Sequence, residues 1–169
     1  MVEQKSYNVL FLCTGNSARS IFGEVIMNYL GMGRFKGYSA GSHPRGEVHP
    51  LTLEVLKLQR FPIKGLRSKD WEEFTRPDAP RMDFVFTVCD RAAAEQCPLW
   101  PGQPMSAHWG VPDPAEAEGD EVARMLAFRQ GFKALENRIK IFTSLPFASL
   151  DELKLSQKLH EIGQMPTDS

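Results

Sequence analysis

The chain has 169 residues, of which 42% are hydrophobic, and its 20 basic and 21 acidic residues leave a net charge of −1. This size predicts one domain with one core, and the balanced charge argues against an extended nucleic-acid surface while permitting a local cationic site for an anion. Because no apolar run approaches the roughly 18 residues of a membrane span and no leader pattern is present, we expect a soluble, cytoplasmic protein without a membrane partner.

The first half of the chain alternates between predicted strands and helices. The apolar run NVLFL at residues 8–12 predicts a buried strand, and helical spacing from Ser17 onward predicts a helix of about four turns that ends at Gly31. A short strand at residues 38–40 precedes a loop rich in Gly, Ser and Pro. A second helix, with a proline in its first turn, is predicted over residues 49–60.

The second half continues this alternation. Residues 82–90 (MDFVFTVCD) predict a third strand, and residues 104–109 (PMSAHW) predict a short fourth strand. Apolar residues three and four positions apart predict a long helix that begins at Asp120 and is ended by Pro146. The alternation predicts an α/β fold in which helices wrap a parallel sheet, with functional loops at the carboxyl ends of the strands.

A last amphipathic helix is predicted near the carboxyl terminus. Ser149 and Glu152 have the spacing of a capping box, and Leu153, Leu159 and Ile162 recur on one helical face. The sequence leaves open whether this helix caps the core or makes an oligomer contact.

Residues 13–19 (CTGNSAR) form the predicted turn between the first strand and the first helix. Backbone N–H groups converge at such a helix N-terminus and can bind an oxyanion. Gly15, Ser17 and Ala18 are small enough to let the loop curl without filling the cradle. The predicted oxyanion-binding residues are Thr14, Gly15, Asn16, Ser17, Ala18, Arg19 and Ser20.

Cys13 and Arg19 stand six positions apart in this turn. The guanidinium of Arg19 can hold two oxygens of a tetrahedral anion, and the positive environment is expected to lower the pKa of Cys13 from about 8.5 toward neutrality. The hydroxyl of Ser20 can also donate a hydrogen bond to the sulfur. A thiolate beneath a bound oxyanion can attack its central atom, whereas the alternative for a lone cysteine is a buried, inert side chain.

Asp113 is the candidate general acid. The segment HWGVPDP places it between two prolines at the carboxyl end of the fourth strand, on the same sheet edge as Cys13. The prolines restrict the backbone, and displacement at an oxyanion needs an acid that protonates the leaving oxygen. The alternative is an ordinary turn aspartate.

The segments VLFLCTGNSARS and WGVPDP together resemble the low-molecular-weight protein tyrosine phosphatase superfamily and, within it, the arsenate reductases that share its fold. The resemblance implies an α/β domain with a four-stranded parallel sheet flanked by helices. It also implies that Cys13 is the nucleophile, Arg19 the oxyanion ligand and Asp113 the general acid. Because the last helix exceeds what this fold needs, we expect a catalytic domain over residues 1–145 and a C-terminal helical extension over residues 146–169.

Two features favour a reductase over a phosphatase. The segment DPAEAEGD has no aromatic residue, whereas tyrosine phosphatases of this family usually carry tyrosines there, beside the phosphotyrosine ring. In addition, Cys89 ends the third strand and Cys97 follows eight positions later. Because the third strand should neighbour the first, we expect Cys89 at the same sheet edge as Cys13.

A cysteine relay follows from the resemblance. In thioredoxin-linked arsenate reductases, a second cysteine attacks the arsenate adduct of the first and releases arsenite, and a third cysteine carries the disulfide to a redoxin. Cys89 matches the second cysteine and Cys97 the third, with one intervening residue more than in that type. Thioredoxin, glutaredoxin with glutathione, and mycothiol therefore stay open as external reductants, and no tightly bound cofactor is expected. The alternative is that both are structural thiols.

A metal site has weaker support. The spacing of the cysteines and histidines lacks a zinc pattern. In some arsenate reductases of this fold, residues matching Asn16, Glu24 and Ser39 help to bind potassium, but Lys69 falls where a further acidic ligand would sit, so its ammonium is expected to replace the ion. A surface ion pair between Glu24 and Lys69 is the alternative.

The resulting prediction is an arsenate reductase that binds arsenate or phosphate and converts arsenate to arsenite through Cys13, Cys89 and Cys97. A low-molecular-weight protein tyrosine phosphatase and a non-catalytic oxyanion or redox sensor are the alternatives. Because Cys13, Arg19 and Asp113 serve both enzymes, some aryl phosphatase activity is expected in either case.

Overall fold

The computed structural model describes residues 6–95, 98 and 100–167. These residues form one sheet of four parallel strands in the spatial order β2-β1-β3-β4. The strands are β1 (Tyr7–Leu12), β2 (Phe35–Ala40), β3 (Phe84–Thr87) and β4 (Met105–His108). The helices are α1 (Arg19–Gly31), α2 (Pro50–Leu58), α3 (Asp90–Ala94), α4 (Glu121–Thr143) and α5 (Glu152–Gly163). None of the helices in these ranges is long and apolar enough to cross a membrane.

The central strands, β1 and β3, carry apolar side chains on both faces of the sheet, and each face therefore packs against its own hydrophobic core. Phe11 and Phe86 belong to a large core that includes side chains of α1, α4 and α5, while Leu10 and Val85 belong to a smaller core. Trp109, which follows β4, stacks on Phe86 with ring centroids 3.8 Å apart. The predicted α/β class, the four-stranded parallel sheet and the pairing of the first and third strands are confirmed. The loops that follow β1, β3 and β4 therefore open at one edge.

Two boundaries differ from the predictions in the amino-terminal half. α1 begins at Arg19 rather than near Ser17, because the chain up to Ala18 still belongs to the turn after β1. β2 begins at Phe35, three residues before its predicted start, and pairs in register with Tyr7 of β1. The missed residues include a lysine and a glycine, which are weak strand signals.

The predicted capping box of the last helix is wrong. Ser149 lies in a 3-10 turn (Phe147–Ser149), and Asp151 caps α5 by accepting a hydrogen bond from the Lys154 N–H at 2.8 Å. A carboxylate at this position satisfies a free N–H of the first turn as well as a serine does. Leu153 is 71% exposed and therefore does not belong to the buried face.

α5 nevertheless packs firmly against the end of β4. Leu159 and Ile162 are buried in the large core. The indole N–H of Trp109 donates a hydrogen bond to the Leu159 carbonyl at 3.0 Å. The carboxyl-terminal helix thus lies next to the loop that carries Asp113.

Candidate active site

In the turn after β1, three carbonyl groups accept hydrogen bonds, while the N–H groups of residues 15–18 have no acceptor among the described residues. The carbonyls of Thr14, Gly15 and Ser17 accept hydrogen bonds of 2.9–3.0 Å from backbone N–H groups in the connection between β2 and α2. The backbone N–H groups of residues 15–18 donate to no acceptor within the part of the chain that the structure describes. An oxyanion site requires this arrangement, because donors must face the anion while acceptors face away.

Asn16 anchors the turn from inside. It is fully buried with a φ of +45°, its Nδ2 donates to Ser20 Oγ at 2.8 Å, and its Oδ1 accepts from the Lys69 N–H at 2.9 Å. Ser20 is thus engaged with Asn16, and among the described residues no hydrogen bond joins its hydroxyl to a sulfur, contrary to the predicted contact. The amide therefore connects the turn to both α1 and the segment before Asp70.

A cavity of about 1190 Å³ opens at this turn. Cys13 and Arg19 line it from the turn, Cys89 from the end of β3, and Asp113 from the loop after β4. The structure thus brings these four predicted residues together. The fifth, Cys97, lies outside the described residues.

Cys13 and Cys89 lie close together in the cavity wall, because the N–H of Thr14, the residue after Cys13, donates a hydrogen bond to the Cys89 sulfur. Both are buried and neither forms a disulfide in this structure. The sulfur of Cys89 accepts hydrogen bonds from the N–H groups of Thr14 and Ala92, at 3.4 Å each. The neighbouring thiol of Cys13, these two N–H groups and the charge of Arg19 lower the pKa of Cys89 to about 5.

Of the two thiols, Cys89 therefore has the lower pKa and Cys13 the higher one. The neighbouring thiol of Cys89 and burial raise the pKa of Cys13, and they outweigh Arg19 and the Thr14 N–H, which act to lower it. The predicted lowering of the Cys13 pKa is wrong for this arrangement, because the group nearest to the sulfur is a second thiol. Because the two thiols titrate as a coupled pair, the negative charge present at neutral pH belongs to the pair rather than to one sulfur.

The titration of the Cys13 and Cys89 pair can be measured. We expect the ultraviolet thiolate absorbance of Cys97→Ser protein to rise through about pH 5, because the pair holds two protons below that pH and one above it. Adding Cys89→Ser should remove this step. If instead both proteins titrate near the ordinary thiol pKa of about 8.5, the shared thiolate is disproved.

Arg19 and Asp113 face each other in the cavity. Arg19 Nη2 lies 3.6 Å from Asp113 Oδ2, and its Nη1 donates to the Val111 carbonyl at 2.9 Å. The other carboxylate oxygen of Asp113 accepts a hydrogen bond from the Ala115 N–H at 3.0 Å. One oxygen is therefore fixed by the backbone, while the other is directed toward the guanidinium that would hold an anion.

Two of the three predicted potassium ligands, Glu24 and Ser39, contact the ammonium group of Lys69. Lys69 Nζ lies 3.4 Å from Glu24 Oε1, 3.2 Å from Ser39 Oγ and 3.0 Å from the Arg67 carbonyl, while Asn16 binds the Lys69 main-chain N–H. The Lys69 side chain is only 8% exposed, so a surface ion pair is the wrong description. Burial lowers the pKa of Lys69. Among the described residues, no three His, Cys, Asp or Glu side chains form a cluster that could hold a metal ion.

The sequence did not predict the contacts that fix the position of the segment carrying Cys89. Cys89 is the N-cap of the short helix α3. At one end of the helix, Asp90 Oδ1 lies 2.8 Å from His108 Nε2, and at the other end, the Thr14 hydroxyl donates to Glu95 Oε1 at 2.8 Å. A helix of five residues is too short to show a periodicity, so these contacts left no sequence signal.

Arg45 was also missed. Its side chain crosses the turn at Gly15, where a Cβ would come within 3.2 Å of the Arg45 Nε, and it lines the cavity. It adds a second positive charge to the rim. The available signal was its position in the loop after β2, at the same sheet edge as Cys13.

Cys13 and Arg19 share one strand-to-helix turn whose central N–H groups have no acceptor among the described residues, the arrangement expected of an oxyanion site of the phosphatase type. Over residues 8–156, the sequence matches the family described as low molecular weight phosphotyrosine protein phosphatase, and the chain belongs to this family. The resemblance inferred from the sequence is thereby confirmed.

Several relatives carry the name arsenate reductase. The protein from Oceanobacillus iheyensis is 32% identical over 134 residues, and that from Bacillus subtilis is 35% identical over 135 residues; each alignment covers 79% of this chain and 93% of the relative. The relative from Halalkalibacterium halodurans is 36% identical with the same coverage.

Solved structures show the same fold. An arsenate reductase in a phosphate-binding state has a TM-score of 0.64 at 24% identity, covering 82% of this chain and 97% of that chain. The thioredoxin-dependent arsenate reductase of Corynebacterium glutamicum has a TM-score of 0.55 at 23% identity, covering 83% and 65%. A tyrosine phosphatase of Erwinia amylovora has a TM-score of 0.60 at 19% identity, covering 80% and 89%.

Proposed function

We propose that this protein is an arsenate reductase that works through a cysteine relay. The observation that carries the proposal is the placement of Cys13 and Cys89 side by side in one cavity with Arg19, with the Cys89 sulfur hydrogen-bonded to the N–H of the residue that follows Cys13. Reduction of arsenate by thiols needs a second sulfur within reach of the first, whereas hydrolysis of a phosphate ester does not. The names of the relatives above 30% identity support the same assignment.

In the first step, arsenate binds to the N–H groups of the turn and to Arg19. The Cys13 thiolate attacks the arsenic atom, Asp113 protonates the departing oxygen, and water leaves. Cys13 is then joined to As(V) through a sulfur–arsenic bond, and no electron has yet been transferred. The empty cavity already holds the three side chains that this step uses.

In the second step, Cys89 attacks the sulfur of Cys13, and the proton of its thiol passes to the departing arsenite. The sulfur–arsenic bond breaks, its electron pair stays on arsenic, and arsenite leaves as As(III) while a disulfide forms between Cys13 and Cys89. Cys97 then attacks Cys89, which frees Cys13, and an external thiol or dithiol reduces the new disulfide. The low pKa of Cys89 supports its role as the second nucleophile.

The test is arsenate-dependent oxidation of NADPH by the purified protein, coupled in parallel assays to thioredoxin with its reductase and to glutaredoxin with glutathione. We expect one system to support many turnovers, with one arsenite formed for each NADPH oxidised. If these systems and a mycothiol-linked one show no arsenate-dependent oxidation but aryl phosphates are hydrolysed, the protein is a phosphatase. If neither reaction occurs, the sensor alternative gains support.

In this proposal, the Lys69 ammonium supplies the positive charge that potassium supplies in some reductases of this fold. Its contacts with Glu24 and Ser39 support this role. We expect kcat/KM for arsenate to agree within about twofold in potassium chloride and choline chloride of equal ionic strength. A strong activation of the wild-type protein by potassium would show that Lys69 does not replace the ion.

A further inference from the structure

Arg138 of α4 is a buried cation that has no carboxylate partner among the described residues. It is 2% exposed, and within the described ranges it forms no ion pair. Its Nη1 donates to the carbonyls of Trp109 and Gly110, at 3.0 and 2.8 Å, and its Nη2 donates to the Met165 carbonyl at 3.0 Å. Because a buried charge is costly unless hydrogen bonds compensate it, these three carbonyl groups are what stabilises the guanidinium inside the protein.

The first two carbonyls belong to the backbone that leads to the candidate acid. Gly110 is followed by Val111, whose carbonyl accepts the hydrogen bond from Arg19, and Asp113 comes two residues later. Fixing the Trp109 and Gly110 carbonyls therefore fixes the start of this loop. The planar guanidinium holds both carbonyls in one geometry, which limits the orientations that the loop can adopt.

The third carbonyl belongs to the carboxyl-terminal tail. The residues just before Met165, namely Gly163 and Gln164, line the same cavity as Cys13. Gly163 packs so closely on the His108 carbonyl that a Cβ would overlap it. The tail, the end of β4 and the Asp113 loop are thus held as one unit around a single side chain.

We propose that Arg138 is a positioning residue that acts through Asp113: it binds the loop to the carboxyl-terminal tail so that the carboxyl group meets the leaving oxygen of the bound anion. For arsenate this inference rests on the proposed function. The same placement applies to aryl phosphates, whose leaving oxygen also needs a proton. The carboxyl-terminal segment is then a working part of the active site, although it lies at and beyond the end of the family match at residue 156.

A double-mutant cycle tests this role. We expect Arg138→Met to lower kcat/KM about 10- to 100-fold in the otherwise wild-type protein but less than about threefold in an Asp113→Asn background, because the acid is then already absent. Arg138→Lys keeps the charge but lacks the fork of donors, so we expect an intermediate loss with the same dependence on background. If Arg138→Met does not fold, Arg138→Lys decides the outcome.

The matched control is Ile139→Ala, which truncates a fully buried neighbour on the same helix. It should lower thermal stability and change kcat/KM by one common factor in both backgrounds. If the Arg138 variants also lower kcat/KM by the same factor in the wild-type and Asp113→Asn backgrounds, Arg138 is only structural and the proposal is overturned.

The cycle is measured for arsenate reduction and for aryl phosphate hydrolysis. A protein that hydrolyses aryl phosphates but never reduces arsenate would refute the proposed reductase and still decide the role of Arg138. A protein that catalyses neither reaction would overturn both, because no reaction would be left for Arg138 to assist.

Discussion

Cys89→Ser is expected to lower steady-state arsenate reduction at least about 10³-fold, to the background rate, while aryl phosphate hydrolysis stays within about threefold of wild type. A serine hydroxyl cannot attack the sulfur of an arsenate adduct on Cys13, so no disulfide forms and arsenite is not released. Hydrolysis of an ester needs only Cys13, Arg19 and Asp113. Moreover, the substitution removes the main group that raises the pKa of Cys13 and leaves the influence of Arg19.

Two further variants serve as controls for the Cys89→Ser result. Cys13→Ser should abolish both reactions, because the shared nucleophile is lost. Cys89→Ala checks that the serine hydroxyl itself does not disturb the turn, and it should behave like Cys89→Ser. Continued turnover of arsenate by both Cys89 variants would rule out Cys89 as the second nucleophile.

The parallel sheet was predictable because its strands are strong, local signals. Residues 8–12 and the core of 82–90 are continuous apolar runs, and a strand that is buried on both faces must be apolar throughout. Their adjacency followed from the family resemblance. The adjacency of these two strands also placed Cys89 next to Cys13, since the carboxyl ends of neighbouring parallel strands meet at one edge of the sheet.

The electrostatics of the turn were less predictable. The sequence shows that Arg19 is near Cys13, but the pKa of Cys13 depends first on the neighbouring thiol of Cys89, and this proximity arises only in the folded chain. Lys69 is a similar case. Its neighbours Glu24 and Ser39 are distant in sequence, and their contact with its ammonium depends on tertiary packing.

Arg138 had a sequence signal that was overlooked. It falls among Leu135, Ile139 and Phe142, which form the buried face of α4, so the helical periodicity places a charged residue inside the core. A charge at a core position needs buried partners. The identity of those partners, three carbonyl groups from two distant segments, could come only from the structure.

Asp113→Asn is expected to lower kcat/KM for arsenate about 10²- to 10⁴-fold, the usual contribution of a positioned general acid. Asparagine has nearly the same shape and can keep the hydrogen bond from the Ala115 N–H, so the loop should keep its conformation. It cannot donate the proton that converts a departing oxygen into water. The loss should therefore fall on the chemical step, and the affinity for inorganic phosphate, measured by competition, should change little.

Aryl phosphates with different leaving groups separate this explanation from simple damage to the site. A nitrophenolate leaves without a proton, whereas a phenolate needs one, so Asp113→Asn should lose far more activity toward phenyl phosphate than toward nitrophenyl phosphate. Glu116→Gln is the matched control, because Glu116 is a neighbouring carboxylate that lines the same cavity. We expect it to retain the wild-type ratio between the two substrates. An equal loss toward both substrates in Asp113→Asn would remove Asp113 from the role of acid and leave it only its contact with Arg19.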